Sequence, residues 1–150
     1  MRCWSSDPWL GACRPESKYP QYSSTYSGLS YKLLTIGDGK YYPQQNDFVF
    51  VNCVFKDSNG NILEDEALKG LSGFKTFQLK DDVDNCSIEE AISLLNAGDS
   101  GNFMIPLNNL IQSASRLLDG KEITVSKVVV QEVKAEVKLI AVYKPKEYEQ

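Results

Sequence analysis

Residues 87 to 106 read SIEEAISLLNAGDSGNFMIP, and no other stretch limits the possible folds so tightly. Ser87 can accept a backbone hydrogen bond at a helix start while Glu90, three residues on, reaches back to the cap, the pattern of a capping box. Ile88, Ala91, Ile92 and Leu95 then fall on one apolar stripe at helical spacing. Gly98 suits the left-handed conformation that follows a helix end. Beyond it Phe103 and Ile105 alternate with Asn102 and Met104, as in a strand packed on one face. A helix of barely three turns cannot bury its stripe alone. Delivered straight into a strand, it must lie on a sheet.

The rest of the chain supplies that sheet. YKLLTI is a strand-like run ended by the turn GDGK, and DFVFVNCVF is a longer one ended by KDSNGN, whose Asn59-Gly60 is a strong turn signal. FKTFQL, residues 74 to 79, adds a further strand before the helix. Near the end VKAEVKLIAVY places Val133, Ala135, Val137, Leu139, Ala141 and Tyr143 on one face and Lys134, Glu136 and Lys138 on the other. The expected fold class is α+β: a twisted antiparallel sheet whose concave, apolar face is covered by one main helix. With 150 residues and 42% hydrophobic content the chain suits one domain with tails. The expected boundaries are an irregular lead segment at 1–27, the domain at 28–144 and a tail at 145–150. The lead mixes Pro, Ser, Tyr and Trp without periodicity. Within it LGAC, residues 10 to 13, matches the small-residue pattern before a lipidated cysteine, although Arg2, Asp7 and Pro8 stand where a signal peptide has its apolar run. An exposed tail of a processed chain is the simpler reading, and a membrane tether through a lipidated N-terminus is the other.

Several function classes fall away. A net charge of -4 without an arginine-rich stripe argues against binding nucleic acid, because phosphate neutralisation needs clustered Lys and Arg. No run of about 20 apolar residues is present to span a membrane as a helix. The sequence has no histidine, so zinc sites, Ser-His-Asp triads and Cys-His pairs lack their usual ligand or base, and neither a metal nor another cofactor is expected. The cysteines at 3, 13, 53 and 86 show no CxxC spacing. Cys53 and Cys86 read as plain buried or half-buried thiols, while Cys3 and Cys13 could pair across a short loop in an oxidising compartment.

In that order, and with its words, the chain resembles the FKBP-type peptidyl-prolyl cis-trans isomerase family. SGLSYKLLTIGDGKYYPQQNDFVFV is similar to the family's SGL-x-Y opening, glycine turn, proline and Asp-x-Val-x-Val strand, and NGN falls in its turn before the pocket acid. IEEAISLLNAGDSGNFMIP resembles its helix and following strand, and residues 133 to 143 complete the pattern. The resemblance implies a curled antiparallel sheet on a short helix that floors a hollow for an Xaa-Pro segment. It further implies acceleration of rotation about an amide bond whose barrier is about 18 to 20 kcal/mol. Such a reaction needs no nucleophile or metal: a dry apolar hollow with a well-placed hydrogen bond favours the twisted amide over the planar one.

Carried over residue by residue, the hollow has lost aromatics. Cys53 stands where the family has a tyrosine of the second strand, and Leu63-Glu64 where it has Phe-Asp. Ile88 replaces the tryptophan at the helix start, Ile111 a loop tyrosine and Ala135 a phenylalanine of the last strand. Either Phe74 or Phe77 keeps one aromatic wall. Taken singly, Cys53, Ile88 and Ile111 are ordinary core residues, and the acid at 64 beside Asp65 and Glu66 is an ordinary solvated turn. A smaller lining grips the prolyl ring through fewer contacts, so weak isomerase or folding-helper activity on proline segments of client proteins is expected. The alternative is a noncatalytic FKBP-like binding module. The resemblance also points to a bacterial envelope or periplasmic location.

After Pro106 the chain departs from the family. LNNLIQSASRLLDG has Leu107, Leu110, Ile111, Ala114, Leu117 and Leu118 at helical spacing, which predicts an additional helix over 107–118 in the flap region. Its stripe either closes over the hollow or offers a docking face for another protein. EITVSKVVV then supplies a strand or a flap hairpin.

Overall fold

The computed structural model describes residues 19–63, 66–79, 86–117 and 132–145. Six strands, β1 (Ser23–Ser24), β2 (Ser30–Thr35), β3 (Phe48–Lys56), β4 (Gly73–Gln78), β5 (Ser100–Pro106) and β6 (Glu132–Tyr143), form one antiparallel sheet in the order β1-β2-β5-β6-β3-β4. Among the described residues three helices accompany them: α1 (Glu66–Lys69), α2 (Ile88–Ser93) and α3 (Leu107–Leu117). Strand β3 alternates without a break, so Val49, Val51, Cys53 and Phe55 are buried on one face. Gly101, Phe103 and Ile105 do the same on β5, and Val133, Ala135, Val137 and Leu139 on β6. The ladder begins at Ser23, where Ser23 pairs with Tyr31.

Helix α2 covers that face with Ile88, Ala91, Ile92 and, just past its end, Leu95, all without exposed surface. It is shorter than its stripe predicts. The Leu94 N–H turns back to the Ala91 carbonyl and that of Leu95 to Ile92, which closes the helix at Leu94. Gly98 is left-handed as expected, at φ +93. It sits in the turn from Asn96 to Asp99 rather than against the helix end.

The start of α2 differs from a simple capping box. Ser87 Oγ accepts the Glu90 N–H at 3.2 Å as expected, but the Glu90 carboxylate accepts the N–H of Cys86, one residue before the cap, at 2.8 Å. Cys86 itself has a positive φ of +54. The same carboxylate accepts the Ser27 hydroxyl at 2.6 Å and the Thr25 hydroxyl at 3.3 Å. One acid thus ties the SGL opening to the helix.

Two strand readings need correction. YKLLTI ends as a strand at Thr35, and Ile36 is 79% exposed, because the β2–β5 register shifts between Leu33 and Thr35. On β6 the predicted single face breaks after Leu139. Val51 pairs with Leu139 but Phe50 with Ala141, so Ile140 is an extra residue and the faces exchange beyond it. Val142 then packs against the core, while Ala141 and Tyr143 turn the other way and Tyr143 is 41% exposed.

The helix predicted after Pro106 is present as α3. Leu107, Leu110, Ile111 and Ala114 are buried and Leu117 packs against the same core, so the stripe faces inward and is not a docking face. Leu118 and EITVSKVVV lie outside the described residues, as do Cys3, Cys13 and LGAC.

Candidate functional site

The predicted lining residues are spread over six different segments. Cys53 projects from the middle of β3 and Ala135 from β6, where it pairs with Phe55 on one side and Phe103 on the other. Phe77 on β4 is opposite Val49. Ile88 opens α2, Ile111 lies on the second turn of α3, and Leu63 is held beside β3 by its N–H to the Phe55 carbonyl at 2.9 Å. Cys53, Phe77, Ile88, Ile111 and Ala135 belong to one continuous core cluster, with Leu63 packed against it. Phe74 does not join them. It is 64% exposed on the opposite face, its ring tilted against Phe50 with centroids 5.9 Å apart. Glu64 lies outside the described residues.

These positions share the domain's apolar core and are shut off from solvent. Cys53, Ile88 and Ala135 have 0% exposure, with Phe77 at 4% and Ile111 at 7%. No ligand atom from solvent touches the first three in this conformation. The lining is aliphatic apart from Phe77 and the Cys53 thiol, which burial pushes up to about 12 and keeps neutral. Cys53 and Cys86 are both free thiols. Among the described residues no group of three or more Cys, Asp or Glu side chains is placed to hold a metal.

Polar groups collect at one rim, where α3 meets the start of α2. Arg116 Nε donates to Glu89 Oε2 at 2.7 Å and its Nη2 to Glu89 Oε1 at 3.2 Å. The Ile88 N–H donates to Ser113 Oγ at 3.3 Å, and Asn109 Nδ2 donates to the Cys86 carbonyl at 3.0 Å. Glu89 is 4% exposed and Ser113 fully buried, so the carboxylate is retained in the interior by its fork-shaped partner. Little in the local pattern signals this seam. Ser113 and Arg116 flank the α3 stripe three residues apart, and Glu89 looks like one more acid of a solvated helix start.

No family model matches the chain, and no curated relative matches it. Solved structures do match. FkpA from Escherichia coli aligns at TM-score 0.59 and 17% identity over 85% of this chain and 54% of its own. A peptidyl-prolyl cis-trans isomerase from Pseudomonas syringae pv. tomato aligns at TM-score 0.58 and 19% identity over 86% of each chain. The three FKBP domains of wheat FKBP73 give TM-score 0.51 and 17% identity, covering 83% of this chain and 49% of that one. The chain thus spans about half the length of FkpA and of the wheat protein. At these identities the likeness is one of fold: the chain has the FKBP-like α+β architecture that its sequence words predict.

Proposed function

We propose that this FKBP-like domain binds Xaa-Pro segments of client proteins and acts on them as a weak peptidyl-prolyl isomerase or folding helper. The observation that supports the reading is the FKBP-like fold itself, in whose single apolar core Cys53, Phe77, Ile88, Ile111 and Ala135 are buried with Leu63 packed against it. Chemistry follows from shape alone. A prolyl ring seated there would leave its amide in a dry surrounding that favours the twisted, less polar state. With most large aromatics replaced by Cys, Leu, Ile and Ala, fewer contacts hold the ring, and every tenfold of lost rate corresponds to about 1.4 kcal/mol of transition-state stabilisation.

A coupled isomerisation assay on an Xaa-Pro peptide tests this, with the natural chain and Ile88→Trp side by side. Turnover above the spontaneous rate, well below that of aromatic-lined isomerases and raised by the tryptophan, is the expected result. Ile88 has no exposed surface, so the larger ring is expected to cost about 1–3 kcal/mol of stability, and Tm is measured alongside. Full activity in the natural chain would show that the alignment of the hollow is wrong. The complete burial of Cys53, Ile88 and Ala135 favours a second reading, a noncatalytic FKBP-like binding module. Peptide binding without turnover in either chain would establish that reading instead.

We place the protein at the bacterial envelope or in the periplasm, with Cys13 of LGAC as a candidate lipid anchor. The bacterial sources of FkpA and of the Pseudomonas enzyme support the bacterial part of this proposal. Cell fractionation tests the rest: a protein recovered wholly from the cytosol would refute it.

A further inference from the structure

We propose that β4 is a docking edge for a second copy of this chain, the two β4 strands pairing antiparallel about a two-fold axis at Thr76. The proline-binding reading plays no part in this inference. Strand β4 ends the sheet order, and among the described residues only β3 pairs with it. Such an edge is a template for another strand unless charge, proline, a bulge or a covering segment blunts it. Strand β4 has Lys75 as its single charge, no proline, and a register with β3 that runs without a shift. The register also fixes which main-chain groups face outward. The Leu79 N–H donates to the Asp47 carbonyl and the Leu79 carbonyl accepts from the Asn46 N–H, so Leu79 turns its polar groups towards β3. By alternation Phe77, Lys75 and Gly73 do the same, while Phe74, Thr76 and Gln78 turn theirs to the open edge.

Two registers use most of the strand, one centred on Lys75 and one on Thr76. Charge selects between them. Centred on Lys75, two ammonium groups oppose each other across the axis. Centred on Thr76, two hydroxyls meet, Phe74 faces the partner's Gln78, and the aliphatic stem of Lys75 lies along the partner's Phe77. In this register every outward N–H and C=O of Phe74, Thr76 and Gln78 finds its complement on the other strand, as a self-complementary two-fold contact requires. The apolar surface is continuous with it. Phe74 is 64% exposed on the outer face of the sheet and its ring packs on Phe50 with centroids 5.9 Å apart. Phe48 is opposite Gln78 on one side and the 41% exposed Tyr143 on the other. The partner's Phe74, set beside Gln78, therefore extends the row of Phe48 and Tyr143, and the aromatic patches of the two copies join. The axis stands perpendicular to the sheet, so the faces covered by α2 lie on the same side of the pair.

Thr76 is exposed, so a charged side chain there leaves the core of each copy untouched. Sedimentation equilibrium under reducing conditions would be run on the natural chain, on Thr76→Lys and Thr76→Glu separately, and on the two variants mixed. A single strand pair is a small interface, and the natural chain is expected to dimerise reversibly with Kd between about 10 μM and 1 mM. Each variant alone opposes like charges at the axis and should raise Kd at least about tenfold, whereas the mixture opposes unlike charges and should recover the association. Hydrogen exchange supplies a second readout. The Phe74, Thr76 and Gln78 amides should gain protection as concentration rises, while those of Lys75 and Phe77, already bonded to β3, stay protected throughout. A natural chain that remains monomeric up to about 1 mM overturns the proposal, as does a dimer whose strength neither substitution alters. Protection of the same three amides only on adding an extended peptide of another sequence would assign the edge to a different polypeptide and overturn it as well.

Discussion

Asp99→Ala is expected to remove about 2–6 kcal/mol of stability, a large share of the roughly 5–15 kcal/mol that holds an ordinary domain folded. Asp99 is 5% exposed, and its carboxylate is the acceptor for two backbone donors, the Gly37 N–H at 2.7 Å and the Asn96 N–H at 2.9 Å. Removing the side chain strands both donors, at about 1–3 kcal/mol each. The main chain around it holds the turn to β6, with the Leu139 N–H donating to the Asp99 carbonyl at 3.0 Å and the Gly98 N–H to the Leu139 carbonyl at 2.7 Å. That part survives the substitution, which is why the loss has an upper bound. Asp99→Asn keeps one acceptor oxygen in the same shape and should recover part of the stability. Urea denaturation of the three chains checks this. Equal midpoints for the natural chain and Asp99→Ala would mean that water replaces the carboxylate without cost.

The elements that sequence made legible are those with a strict period. Val49 to Phe55 on β3 and Phe103 with Ile105 on β5 alternate without interruption, and α3 keeps its stripe through Ala114, so local pattern and tertiary burial agree. Legibility ended where a long-range pairing decided the outcome. Phe74 and Phe77 both belong to one strand, and only its register with β3, Phe77 opposite Val49 and Phe74 opposite Asn52, sends one ring inward and the other out. Nothing local marks Ile140 as the extra residue that exchanges the faces of β6. Glu89 has the composition of a solvated first turn and is buried only because Arg116, 27 residues on, reaches it. The site shows the same limit. Resemblance nominated positions most of which the fold buries in its core, but it had no access to the register that turns Phe74 out or to the polar seam between α2 and α3.

The other large expected loss comes from a single methyl group, Gly37→Ala in the GDGK turn. Gly37 does not have a left-handed φ, so in isolation alanine would be accepted and even favoured by about 0.4–1 kcal/mol through reduced freedom of the unfolded chain. What forbids it is the neighbouring backbone. A Cβ at Gly37 would lie 2.6 Å from the Gly98 Cα and 2.8 Å from the Ala97 carbonyl oxygen, and main-chain atoms cannot rotate away as a side chain could. The two turns must separate, which costs about 1–3 kcal/mol as overpacking. Separation also lengthens the Gly37 N–H bond to the Asp99 carboxylate, a charge-assisted contact worth about 1.5–3 kcal/mol. The net expectation is a loss of about 2–5 kcal/mol. Gly60→Ala is the control, because Gly60 has φ +85 but open space around its Cα, so only the left-handed backbone is penalised, at about 1–2 kcal/mol. Thermal unfolding of both variants separates the causes. A Gly37→Ala chain that melts above Gly60→Ala would show that the turns yield readily, and that their contact does not fix the α2–β5 connection.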